Sequence, residues 1–191
     1  MTTTKTKKTT TEKPIETLPN NPFTFEVLEL ASKQRSNSKK VEVLKTYEHD
    51  SLKILFVWNF DESVISLLPE GEVPYASTGE QNAYSGSLSS KINDAVSKME
   101  EINSRSLGAM DQGKSSIRKE YKMFYNFVKG GNDSLTSLRR ETMFINILEG
   151  LHPLEAEILC LVKDKKLQNK YKISLDNVKE AYPDIRWGGR S

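Results

Sequence analysis

Residues 101–115, EINSRSLGAMDQGKS, decide the fold, because Gly108, Gly113, Lys114 and Ser115 match the phosphate-loop string G-x-x-x-x-G-K-[ST]. Backbone N–H groups of such a loop cradle phosphate only when it is held between a buried strand and a helix. The residues just upstream, EEINSRSL (100–107), are charged and polar and offer no apolar run for that strand. ILFVWNFDE (54–62) is apolar and ends in Asp61 and Glu62, but it lies far upstream and has the pattern of an amphipathic helix. A parallel sheet of several strands has no material in this chain. The string therefore reads as a glycine-containing linker running into a helix, with nucleotide binding at Gly108, Gly113, Lys114 and Ser115 kept as the alternative.

Downstream, helical spacing dominates. Ile117, Tyr121, Phe124 and Val128 predict one helix over 115–129, stopped by Gly130-Gly131. A second runs from Ser134 to Glu149, with Leu138, Ile145 and Leu148 on one face and Phe144, Ile147 and Leu151 beside it. His152-Pro153 opens a third, with Glu155 and Glu157 in its first turn and Lys163, Lys165 and Lys166 in its last, as the helix dipole favours. Ser174 caps a fourth (Leu175, Val178, Ala181), ended by Pro183.

Upstream, Asn21-Pro22 starts a helix carrying Phe25, Leu28 and Ala31, Ser38 caps one with Val41, Leu44 and Tyr47, and Asp50 caps one with Leu52, Leu55 and Phe56. SVISLLP (63–69) fits a strand or a last helical turn equally well. Residues 76–114 are rich in Ser, Gly, Asn and Gln; a weak stripe (Ile92, Val96, Met99, Ile102) suggests a surface helix or one induced by a partner. The expected organisation is all-α: a disordered Thr/Lys tail (1–21), a three-helix module (22–75), a flexible polar linker (76–114) and a basic four-helix module (115–191).

The 191 residues include 28 basic and 26 acidic side chains, a formal net charge of +2. That balance by itself implies no polyanionic partner, but its distribution is uneven, because residues 114–191 carry a surplus of five positive charges. Arg118, Lys122, Tyr125 and Lys129, spaced to line one helix face, and Arg139-Arg140 on the next helix form the candidate contact face for nucleic acid or another partner. The competing reading is a solvated helix face. Trp187, in AYPDIRWGGRS (181–191), either caps the C-terminal bundle or anchors a partner. A helix-turn-helix formed by the last two helices fits poorly, since the 167–173 connection is too long and lacks a glycine.

Catalytic and metal readings fail on residue type. The one cysteine, Cys160, and the two histidines, His49 and His152, are too few for a zinc site, and His152 lies two turns from Cys160 on one helix. No cofactor is implied, and no enzyme activity is expected. A lone cysteine in an apolar run fits a reducing compartment, and no apolar stretch is long enough to cross a bilayer.

The stretches FEVLELASKQRSNSKKVEVLKTY (25–47), LLPEGEVPY (67–75), FYNFVKGGNDSLTSLRRETMFINILEGLHPLEAEILCLVKDKKL (124–167) and VKEAYPDIRWG (178–188) resemble a family of uncharacterised small proteins of tailed bacteriophages, T4-like cyanophages among them. The resemblance implies a phage product in the cytoplasm of the infected host cell, and it brings no assigned activity or site residue. Together these readings predict a non-enzymatic accessory or adaptor protein whose partner is a host or phage protein, nucleic acid or the machinery acting on it. A virion structural or assembly role is a further alternative.

Overall fold

Proline at the first helical position, cap residues and apolar spacing set most of the helices seen in a computed structural model of the chain, which describes residues 14–74, 87–101 and 113–190. Helix α1 (Thr24–Lys33) buries Phe25, Leu28 and Ala31 together with Val27 and Leu30. It begins two residues after Pro22, where the Glu26 carboxylate reaches back to accept the Phe23 N–H at 2.7 Å. Helices α2 (Asn37–Thr46) and α3 (Asp50–Phe60) are capped by Ser36 and His49, each one or two residues ahead of the expected Ser38 and Asp50. Residues 63–69 form neither a continuous strand nor a helical turn; one isolated antiparallel bridge joins Ser66 to Val128.

Two expectations about the polar stretches are corrected. Residues 14–21 do not belong to a loose tail: Ile15 and Leu18 pack against the core, and the Leu18 N–H donates to the Tyr47 hydroxyl at 2.8 Å. Residues 1–13 lie outside the described residues. Within the stretch expected as linker, Leu88–Glu101 is a helix, α4, that buries Leu88, Ile92, Val96 and Met99 against helix α7 (Pro153–Lys163). Its narrow stripe looked weak because only one face needs to be apolar when a single partner helix covers it.

The expected helix over 115–129 divides in two. One α-turn, α5 (Ile117–Glu120), runs into a 3-10 helix at Tyr121–Phe127. Three residues per turn place Tyr121, Phe124 and Phe127 on one side, which suits the aromatic cluster they join. Trp58 lies 5.9 Å from Phe124 and 6.1 Å from Phe127 between ring centroids, and Phe127 meets Phe144 edge-on at 5.3 Å. Helices α6 (Ser137–Gly150), α8 (Leu167–Lys170) and α9 (Leu175–Ala181) complete the chain, with Thr136 and Ser174 accepting first-turn amides of α6 and α9. On α6 the expected stripe holds at Ile145 and Leu148 but not at Leu138, which is 73% exposed.

The fold is all-α, and the two helical blocks share one core. Helix α7 is the hub: it packs on α1, α3, α4, α6 and α8, while α2 packs on α9. Buried polar ties cross between the blocks. Asn59 accepts the Leu167 N–H at 3.0 Å, Lys163 donates to the Pro69 and Gly71 carbonyls, and the Tyr182 hydroxyl donates to the Leu44 carbonyl. No sheet and no membrane-length apolar helix occur among the described residues.

Candidate functional site

Where α1, α5 and α7 begin, three chain segments meet around Glu155, a fully buried residue. One carboxylate oxygen accepts the Thr24 N–H at 2.8 Å and the other accepts the Ile117 N–H at 2.9 Å. Both donors open helices, whose first amides have no partner within the helix and whose dipoles favour negative charge. Burial nevertheless pushes the Glu155 carboxyl up to about 7, against the pull of those two amides. His152 caps α7 beside it, accepting the Leu154 N–H through Nδ1, and its ring stacks on Phe25 at 4.8 Å.

The glycine-lysine-serine turn belongs to this junction. Lys114 and Ser115 both donate their backbone N–H groups to the Gly150 carbonyl, at 2.8 and 2.9 Å. Gly113 has φ +79°, and a Cβ there would stand 2.5 Å from the His152 nitrogen. The glycine is therefore explained by a close crossing of two backbones. The amides that a phosphate loop would turn towards its ligand are already engaged by a carbonyl, and no strand precedes the turn among the described residues. Gly108 lies outside the described residues.

Elsewhere, a cleft of about 740 Å³ opens between α3, the 3-10 segment and the C-terminal tail. Its floor is apolar: Ile54, Val57 and Trp58 from α3, Val64, Phe124 and Val128 from the chain between, and Ile185 from the tail. Lys53, Lys122, Lys129, Arg186 and Arg190 stand around it, with Asp184 the one carboxylate. Lys53 is paired with Asp184 at 2.8 Å and with Glu48, which together hold its ammonium above the usual lysine value. Arg190 reaches Asp61 at 3.2 Å. Lys122, Lys129 and Arg186 pair with no carboxylate among the described residues.

The tail wall is held by Asp61, a buried carboxylate at the end of α3. It accepts the Gly188 N–H and the Arg190 guanidinium on one oxygen and Ser63 on the other. Burial opposes its charge, but hydrogen bonds from Ser63, Gly188 and Arg190 outweigh that and hold its carboxyl below the ordinary range. Trp187 is half-buried against the core on this folded-back tail. The tail thus closes on the end of α3 in the first block.

Of the contact face expected from the sequence, only Lys122, Tyr125 and Lys129 meet at the cleft, Tyr125 being 52% exposed. The single helical face dissolves because residues 121–127 turn every three residues, Val128 is extended and Lys129 enters a turn. Arg118 lies instead near His49 and Glu155, and with burial it holds the His49 imidazole below its usual value. Arg139 is exposed on α6 and does not line the cleft. Arg140 is no surface residue: it is 5% exposed and donates to the carbonyls of Asn126, Asn132 and Leu135, tying the loop before α6 to the 3-10 segment. Its neighbour in sequence points outward, a distinction that two adjacent arginines do not carry.

The lysine run 163–172 is likewise mostly engaged. Lys163 is buried, Lys165 donates to the Asp61 carbonyl, and Lys170 pairs with Glu157. Cys160 is half-buried, and desolvation pushes its thiol up to about 12, the opposite of what a nucleophile needs. No cluster of three or more metal-ligating side chains occurs among the described residues. Lys53, Ile54, Val57, Arg186 and Arg190 were not singled out from the sequence. Their one signal was negative, since Lys53, Ile54 and Val57 fall off the core stripe of α3.

Fold and site define an all-α protein with a closed central core and one open, cation-rimmed apolar cleft. The chain belongs to a family of unknown function, DUF6433, whose model matches residues 27–102 and 101–169. No curated protein and no solved structure matches it.

Proposed function

We propose that this chain is a non-enzymatic accessory protein that holds a negatively charged macromolecule in the cleft between α3, the 3-10 segment and the tail. On this reading it is a phage product acting in the infected cell. The observation that carries the proposal is the pairing of an apolar floor with three cations, Lys122, Lys129 and Arg186, that no carboxylate of the described residues neutralises. Unpaired charge around an exposed apolar surface is the usual make-up of an interface rim and core. Nucleotide binding at Gly113, Lys114 and Ser115 has less support, because the Lys114 and Ser115 amides are engaged by Gly150.

The test compares the full-length chain with Lys122→Glu/Lys129→Glu as baits in infected-cell extract, with and without nuclease. A macromolecule retained by the native chain and lost from the folded double variant is the expected result. Equal retention by both removes the cleft from the function.

A further inference from the structure

We infer that the occupant of the cleft is an acidic protein segment carrying aliphatic or aromatic anchors. The inference rests on the cleft reading above and names the partner class of that same site. The lining supplies the first reason. Apart from the Tyr121 and Tyr125 hydroxyls and the Trp58 indole N–H, which is buried without a partner, no neutral hydrogen-bonding side chain lines the cleft. A nucleobase set on the apolar floor would find partners for its polar edges only among the rim side chains, and each edge group left unmatched costs about 1–3 kcal/mol. A leucine or phenylalanine side chain brings no polar group of its own that needs a partner there.

Exposed apolar side chains supply the second reason. The large apolar side chains left exposed among the described residues are Ile54, Ile65, Met123, Tyr125 and Leu138. Ile54 and Tyr125 line the cleft, Ile65 follows the lining residue Val64, and Met123 sits between the lining residues Lys122 and Phe124. The two that line the cleft mark it as an interaction surface. Charge supplies the third. Lys122, Lys129 and Arg186 can meet carboxylates flanking the anchors, as charge complementarity at a rim requires.

The experiment selects binders to the immobilised full-length protein from two random pools in parallel, displayed peptides and single-stranded DNA. The expected winners are peptides in which Asp or Glu alternates with Leu, Ile, Phe or Trp. Their affinity should drop about tenfold or more for Lys122→Glu/Lys129→Glu, whose rim charge is reversed, and likewise for Ile54→Ser, an exposed site whose substitution leaves folding intact. Enriched peptides without acidic residues would overturn the inference, as would enrichment from the DNA pool alone. In the latter case, lost DNA affinity in the rim variant would leave the cleft reading standing. If neither pool yields a cleft-sensitive binder and the rim variant still retains its cellular partner, both readings fall.

Discussion

Two places in this molecule concentrate charge, and they treat it in opposite ways. At the junction of α1, α5 and α7 a single carboxylate is buried, and both its oxygens are satisfied by amides of this chain. At the cleft, Lys122, Lys129 and Arg186 stand around an apolar floor without carboxylate partners among the described residues. The first arrangement is complete, and its removal should damage the fold. The second is incomplete in the isolated chain, and its alteration should leave the fold alone while abolishing recognition. A buried carboxyl whose two oxygens are answered within the molecule ties its segments together; charge left unanswered beside exposed apolar surface points outward.

The sharpest way to break that contrast is at the junction. Glu155→Ala leaves the Thr24 and Ile117 amides buried without acceptors, and urea denaturation should show a loss of about 3 kcal/mol or more. Glu155→Gln should recover only part of that, because its NH₂ faces one of the two donors.

The same residue makes stability depend on pH. Its folded value of about 7 lies above the 4.5 of the free carboxyl, so the folded state holds the proton more tightly than the unfolded state. Its contribution to stability should therefore be greatest below 4.5, fall as pH rises towards 7 and level off above it. At about 1.4 kcal/mol per pH unit the drop is roughly 3 kcal/mol. Glu155→Gln should flatten the dependence, and a carboxyl-carbon NMR titration should place the midpoint directly.

Arg140 and Arg139 form a smaller version of the same comparison. Arg140→Met removes donors from one carbonyl of the 3-10 segment and two of the loop before α6 and should cost about 2 kcal/mol, whereas Arg139→Ala should stay within about 0.5 kcal/mol. The smallest effect on folding belongs to the cleft. Lys122→Glu/Lys129→Glu should change the unfolding free energy by no more than about 0.5 kcal/mol while removing partner capture.

Much of this architecture was legible in the chain. Apolar spacing identified Phe25, Leu28 and Ala31 of α1 and the core residues of α3, and the capping chemistry of His152-Pro153 and Ser174 located α7 and α9. These signals are local, carried by residues within a turn or two of one another. What escaped was decided at long range. Helix α4 shows few apolar residues because α7, distant in sequence, covers only its one face. The 3-10 segment keeps a helical pattern of residues but a different period, because Phe124 and Phe127 both join the Trp58 cluster. Arg140 and Lys163 looked like surface charge, since nothing nearby in sequence announces the backbone carbonyls that bind them. The cleft itself draws on three segments separated by tens of residues, so spacing within any one of them could reveal only part of it.

The central claim is tested most directly by amide chemical-shift mapping of the full-length chain titrated with an acidic, apolar peptide selected on it. The expected shifts cluster at residues 53–58, 121–131 and 184–190, with Gly113–Ser115 and Arg139 unmoved. Shifts centred on Gly113–Ser115, or spread along Arg118 and Arg139 with the cleft silent, would contradict it.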